Sequence, residues 1–185
     1  MVGDCAACGR RDGARVVSGS MACGADVPGR AIPRMVTTVR GFCGIGIYLP
    51  KREINVGGLW RHAFAFGADF IFTIGERYKR QAADTTCASR HVPLFCFVDE
   101  ADFTAHLPAD SSLIGIEIAE GSVPLKRFVH PERCVYILGA EDIGIPKAIL
   151  DTCESVVEIP ADFCLNVATT GAIVLYDRQC KNEQD

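Results

Sequence analysis

No run of about 18 or more uncharged apolar residues occurs in the chain, so no membrane-spanning helix is expected. Positive charge is in short supply: 19 Lys and Arg stand against 23 Asp and Glu, a formal net charge of −4. Attraction of the whole protein to nucleic acid is thereby excluded, and any RNA contact must use a local basic patch. There is no G-x-G-x-x-G to hold a pyrophosphate and no Walker-type glycine loop, which removes triphosphate hydrolysis. No internal repeat and no secretory hydrophobic segment is present. His62, His91, His106 and His130 show neither Ser/His/Asp order nor metal-ligand spacing, and none is given a catalytic role. Cys5-Ala6-Ala7-Cys8 has the spacing of a zinc knuckle, but no second close pair follows, so no metal site is expected.

What is present is ordinary globular composition, 49% hydrophobic and 23% charged over 185 residues, enough for one well-buried domain. Ten cysteines are scattered, several within apolar runs (Cys43, Cys96, Cys134), as befits buried thiols in a reducing compartment; a cytoplasmic protein is expected. Residues 1–34 are rich in Gly, Arg and small side chains without periodicity and read as a flexible N-terminal extension. Residues 35–185 read as the compact domain.

Within that domain, strands alternate with short helices. The runs FCGIGIYLP, FIFTIG, VPLFCFV, SSLIGIEIA, CVYILG and SVVEIP read as buried strands. Asn55 suits the N-cap of a helix through VGGLWRHAFAF, with Leu59, Ala63 and Phe66 on one face and Gly67 as C-cap. DEADFTAHLP reads as a short helix, as does a segment from Ile145 to about Cys153. A final helix is expected from Leu165 to Cys180. The class is α/β with a mostly parallel sheet flanked by helices.

In an open α/β sheet, ligands bind at the carboxyl ends of strands. Two such ends lie close together between Cys134 and Arg178. The first carries Gly139, Glu141 and Gly144; the second leads to Cys164, Leu165 and Asn166. Glu141 suits either orientation of a polar group or a solvated loop, and Asn166 either a helix cap or a site residue. Nothing local explains Arg61 on an otherwise apolar helix, where a buried charge needs a partner. Trp60 is most simply a core residue.

Taken together, three segments resemble the SpoU/TrmH-type RNA 2′-O-ribose methyltransferases of the SPOUT superfamily. Asn55-Val-Gly-Gly-Leu-Trp-Arg61 looks like the family's first motif, Ile137-Leu-Gly-Ala-Glu-Asp-Ile-Gly144 like its second, and Glu158-Ile-Pro with Cys164-Leu-Asn-Val-Ala168 like its third. The ordered set spans about Arg40 to Arg178. The resemblance implies a deep C-terminal trefoil knot whose loops bind S-adenosylmethionine, and a site completed in a homodimer. By the same resemblance, Leu138, Gly139, Ile159, Cys164 and Leu165 hold the cofactor, and Arg61, Asn55, Glu141 and Asn166 form the catalytic set. The implied reaction is methyl transfer to a ribose 2′-OH of structured RNA, tRNA ahead of rRNA, with no DNA partner. A base methyltransferase and a non-catalytic RNA-binding protein of the same fold are the alternatives. Cys164 and Ala168 stand where many relatives carry serine, which puts any role of those serines in doubt. Lys51, Arg52, Arg77, Lys79, Arg80 and Arg90 are the expected RNA-binding residues.

Overall fold

The computed structural model describes residues 41–75 and 88–182 and the backbone pairing of Arg15–Val17. Arg77, Lys79 and Arg80, and the Cys5/Cys8 pair, lie outside the described residues.

Eight strands form one sheet: β1 (Arg15–Val17), β2 (Cys43–Tyr48), β3 (Phe70–Ile74), β4 (Leu94–Phe97), β5 (Ser112–Ile116), β6 (Val123–Pro124), β7 (Cys134–Leu138) and β8 (Ser155–Glu158). Their order is β1-β4-β3-β2-β7-β5-β8-β6, parallel throughout except for β1 against β4. Six of these strands are the expected ones. The other two are short edge strands, too brief to show a period. β6 ends in Pro124, which an edge tolerates because it need not donate to a neighbour on both sides. β1 falls inside the segment read as a flexible extension. Its three residues take up the open edge of β4 through Arg15↔Cys96 and Val17↔Leu94.

The central strand β7 is buried along its whole length, as a parallel strand covered on both faces should be. Its alternation sends Cys134, Tyr136 and Leu138 into one core and Val135 and Ile137 into the other. The first core lies beneath α1 (Glu53–Ala65) and α4 (Val167–Asn182) and includes Ile45, Ile47, Leu59, Trp60, Val174 and Leu175. The second contains Phe72, Phe97 and Phe103, with Phe103 from α2 (Glu100–Ala105) and Ile149 from α3 (Lys147–Leu150). Trp60 is a core residue, its indole N–H donating to the Val92 carbonyl at 2.8 Å.

Three helix starts differ from expectation, α3 among them, which begins at Lys147 instead of Ile145. α1 begins two residues before Asn55, with Arg52 as its N-cap and no side-chain cap, so Asn55 sits inside the first turn. Lys51-Arg52-Glu53-Ile54-Asn55 reads as a polar turn in isolation, yet Glu53 is favourable in a first helical turn. α4 begins at Val167, just after Asn166 instead of at Leu165.

Helices α1 and α4 approach closely. A β-carbon on Gly58 would stand 3.1 Å from that of Ala168, and one on Gly171 would stand 2.4 Å from Leu59 Cδ1. The contact stripe on α1 is thus Asn55, Gly58, Leu59 and His62, whose spacing is that of one helical face. This packing brings the first turns of the two helices together at the carboxyl end of the sheet.

Candidate active site at the carboxyl ends of the central strands

Register places four strand ends side by side. Leu138 of β7 is level with Ile47 of β2 and Ile116 of β5, and Ile116 is level with Val157 of β8. The loops that leave these ends carry Lys51, Arg52, Gly139, Glu141, Ile159, Cys164, Leu165 and Asn166.

Asn55 is the hub. Although only 4% exposed, its amide is satisfied on both sides. Its Nδ2 donates to Glu141 Oε1 on the loop after β7, and its Oδ1 accepts from Asn166 Nδ2 at 2.9 Å. Asn166 in turn caps α4, its Oδ1 accepting from the N–H groups of Ala168 (3.0 Å) and Thr169 (3.3 Å). The two readings of Asn166 are therefore compatible: one face of the amide caps and the other binds Asn55. Three segments far apart in sequence are joined by one chain of side-chain amides and a carboxylate.

Glu141 lies at the tip of a small hairpin closed by Ala140 and Gly144, whose N–H and C=O groups exchange bonds of 3.2 and 2.9 Å. Gly144 has φ +65, a conformation that favours glycine. A β-carbon on Gly139 would stand 2.6 Å from the Gly144 carbonyl carbon, so the hairpin folds back onto a position that only glycine can occupy.

Arg61 is not part of this cluster. It follows Asn55 by six residues, a rotation of about 240° around the helix, and it is exposed. The expectation of a buried charge is corrected: Arg61 lies on the face of α1 turned away from α4, beside the exposed Ile54 (66%) and Phe64 (38%).

Two of the expected RNA-binding cations are engaged within the site. Lys51 Nζ pairs with Asp142 at 3.3 Å, and Arg52 Nε lies 3.8 Å from Glu141 Oε2. Arg90 is exposed on a 3₁₀ turn, Ala88–Arg90. That turn sits beside the last turns of α1, where the His91 ring stacks on Phe64 at 4.5 Å. Lys51 and Arg52 thus lie near one end of α1 and Arg90 near the other, separated by about 18 Å along the axis.

The cofactor candidates divide by exposure. Leu138 is buried as the floor of the loop cluster, and Ile159 is half-buried against the core. Cys164 and Leu165 are exposed on the loop leading to Asn166, next to Phe163 at 86% exposure. Ile118 (66%) and Ile143 (57%) are exposed on the loops after β5 and β7. Backbone polar groups at a glycine cradle can bind the edges of a nucleoside that carries no phosphate, and the apolar side chains on the surrounding loops can pack against its base and the methylene groups of its chain. Residues of this kind fit S-adenosylmethionine. Glu117, read from sequence as part of the fourth strand, ends that strand and places its carboxylate beneath the Gly139–Ile145 hairpin.

Away from the site, the second half of α4 is clasped by buried polar groups. His130 accepts from the Tyr136 hydroxyl at Nδ1 (2.5 Å) and donates from Nε2 to Asp177 (2.9 Å), which also pairs with Lys181 (2.6 Å). Burial lowers the His130 pKa below its usual value, outweighing the opposing pull of Asp177, and the neutral ring suits this bonding. Arg178 donates to the carbonyls of Pro131 (2.6 Å) and Glu132 (2.8 Å). Across the β2–β7 pairing, the Cys43 thiol is raised by its hydrogen bond to Cys134 and by burial. That same bond, against the cost of burial, lowers Cys134 to about 7.

Fold and site together define an α/β protein with a ligand site built by the loops at one end of a parallel sheet. The SpoU rRNA Methylase family model matches residues 44–176, which includes all three motif segments. The chain belongs to that family. No curated protein matches it in sequence. Among solved structures it is similar to an AdoMet-bound rRNA methyltransferase from Sinorhizobium meliloti, at 21% identity and TM-score 0.68, over 76% of this chain and 56% of that one. It is also similar to a TrmH/SpoU tRNA modifying enzyme from A. aeolicus, at 19% identity and TM-score 0.68, over 78% of this chain and 77% of that one. A third similar structure concerns the 2-OH methylation of C/U34 on tRNA, at 21% identity and TM-score 0.68, over 78% of this chain and 99% of that one. The chain thus spans little more than half the length of the S. meliloti enzyme. These likenesses establish the fold as that of the SpoU/TrmH methyltransferases.

Proposed function

We propose that this protein transfers a methyl group from S-adenosylmethionine to a ribose 2′-OH of structured RNA, with tRNA preferred to rRNA. In this reading it acts in the cytoplasm as a homodimer whose C-terminal segment is threaded as a trefoil knot. The observation that carries the reading is the Glu141–Asn55–Asn166 chain, which ties the first, second and third motif segments of a SpoU family member into one site. The likeness to a structure concerned with 2-OH methylation of tRNA supports the ribose and the tRNA preference.

When bound, S-adenosylmethionine supplies an electrophilic methyl group on a sulfonium, and its thioether leaves neutral, so the protein needs no acid for the leaving group. The residues must place the ribose oxygen in line and favour loss of its proton. Buried Asn55 fixes the exposed side chains of Asn166 and Glu141, on which a ribose can be oriented. Arg61 binds the target phosphate and stabilises the negative charge that develops on the 2′-oxygen, a role suited to a guanidinium, which keeps its charge. Since Arg61 faces away from its own Asn55, it serves best at the site of a second copy. Exposed Ile54 and Phe64 on the same face support a surface covered by that copy.

Incubation of the protein with S-adenosylmethionine and a tRNA pool, followed by nuclease digestion and mass spectrometry, tests the reading. A methyl group on ribose is expected. Methyl on a base would establish the alternative chemistry, and absence of both transfer and cofactor affinity would establish a non-catalytic protein.

A further inference from the structure

Where the ends of β5, β7 and β8 meet, a carboxylate outside all three motifs underlies the loop cluster. Glu117 follows β5 directly, and its own N–H donates to the Val157 carbonyl of β8 at 3.0 Å. Its Oε2 accepts from the Ile145 N–H at 3.0 Å, and its Oε1 from the Ile118 N–H at 3.1 Å. Two glycines of the second motif close over the same carboxylate. A β-carbon on Gly139 would stand 2.8 Å from Oε2, and one on Gly144 would stand 2.5 Å from it. The loop from Gly139 to Ile145 is therefore shaped around the Glu117 side chain as well as around itself.

Loop residues such as Gly139 and Gly144 have no side chain with which to anchor themselves and lose the most freedom when ordered. A carboxylate accepting backbone N–H groups is a stronger fixture than a neutral acceptor. Binding through backbone groups near Leu138 and Gly139 is tighter when those groups are ordered beforehand. Resting on the reading of this loop as the cofactor loop, we propose that Glu117 is a positioning residue. Its carboxylate fixes the Gly139–Ile145 hairpin, and so sets both the cofactor cradle and the Glu141 that holds Asn55. It acts through the loop and touches no reacting atom.

Calorimetric titration of S-adenosylmethionine and of S-adenosylhomocysteine into the full chain, Glu117→Ala and Glu117→Gln tests this, with hydrogen exchange followed at the Ile145 amide. Glu117→Ala is expected to weaken both ligands alike, by about ten- to a hundredfold, the scale of losing a hydrogen bond to a charged acceptor. Its Ile145 amide is expected to exchange faster. Glu117→Gln keeps one carbonyl acceptor and should fall between, which also decides the matter should the alanine variant not fold. Unchanged affinity or unchanged Ile145 exchange in a folded variant would overturn the proposal. Weakening confined to S-adenosylmethionine would overturn it too, because the carboxylate would then meet the sulfonium charge directly. Absence of binding to the unaltered protein would remove the cofactor reading itself, and this proposal with it; normal binding with indifferent variants removes this proposal alone.

Discussion

Replacing Asn55 by alanine removes the hub of the site without opening a large cavity. Two bonds are lost, one to the Glu141 carboxylate and one from the Asn166 amide. A neutral hydrogen bond contributes about 0.5–1.5 kcal/mol and one to a charged group about 1.5–3 kcal/mol. The upper figure does not apply in full, because the Glu141 side chain is 28% exposed and regains water. Asn166 is exposed and regains water too. Alanine also recovers several tenths of a kcal/mol of helix propensity at a position inside α1. The net loss is then about 1.5–2.5 kcal/mol, a fall of roughly 4–8 °C in the melting temperature of a chain of this size. Calorimetry or thermal circular dichroism measures it directly. Coupling adds a sharper criterion: in an Asn166→Ser background, where the cap is kept and the reach to Asn55 is shortened, Asn55→Ala should cost less than in the native chain. A melting temperature within about 1 °C of the native value, or full additivity of the two substitutions, would refute the hydrogen-bonded hub.

Arg61→Lys should lower methyl transfer about a hundredfold, the scale of losing one oriented donor to a developing oxyanion. Because Arg61 is exposed, its melting temperature should stay within about 2 °C; near-full turnover would sink the requirement for a planar fork. His130 makes stability depend on pH in a definite direction. Its folded pKa lies below the ordinary 6.5, so its contribution is fully present above 6.5 and is lost as pH falls through and below that value. The native chain should therefore lose melting temperature on acidification below 6.5 more steeply than His130→Gln, and parallel profiles would show that the ring does not titrate as described. Cys164 is exposed whereas Cys43 and Cys134 are buried. Under brief N-ethylmaleimide treatment, peptide mapping should find Cys164 alkylated before either of them, and saturating S-adenosylmethionine should slow the reaction. An undiminished rate at Cys164 would remove it from the cofactor surroundings.

The sequence by itself determined the class of fold and six of the eight strands, and it pointed to a candidate site after β7 and β8. Those features are local: buried parallel strands are continuous apolar runs, and glycines with polar residues mark where such runs end. The ordered motif set determined the family. Tertiary structure alone decided how the motif residues divide. Asn55 reads as a cap in isolation, yet packing of α1 on α4 turns it toward Asn166 and Glu141, and an amide only 4% exposed needs both partners. Arg61 reads as a buried charge, yet six residues of helical rotation carry it about 120° away from Asn55, onto an exposed face. Glu117 passes for one more strand residue, since nothing nearby in sequence marks the end of β5. Its role exists only because sheet order sets β5 between β7 and β8, which brings the Ile145 N–H and two glycines of a later segment onto its carboxylate.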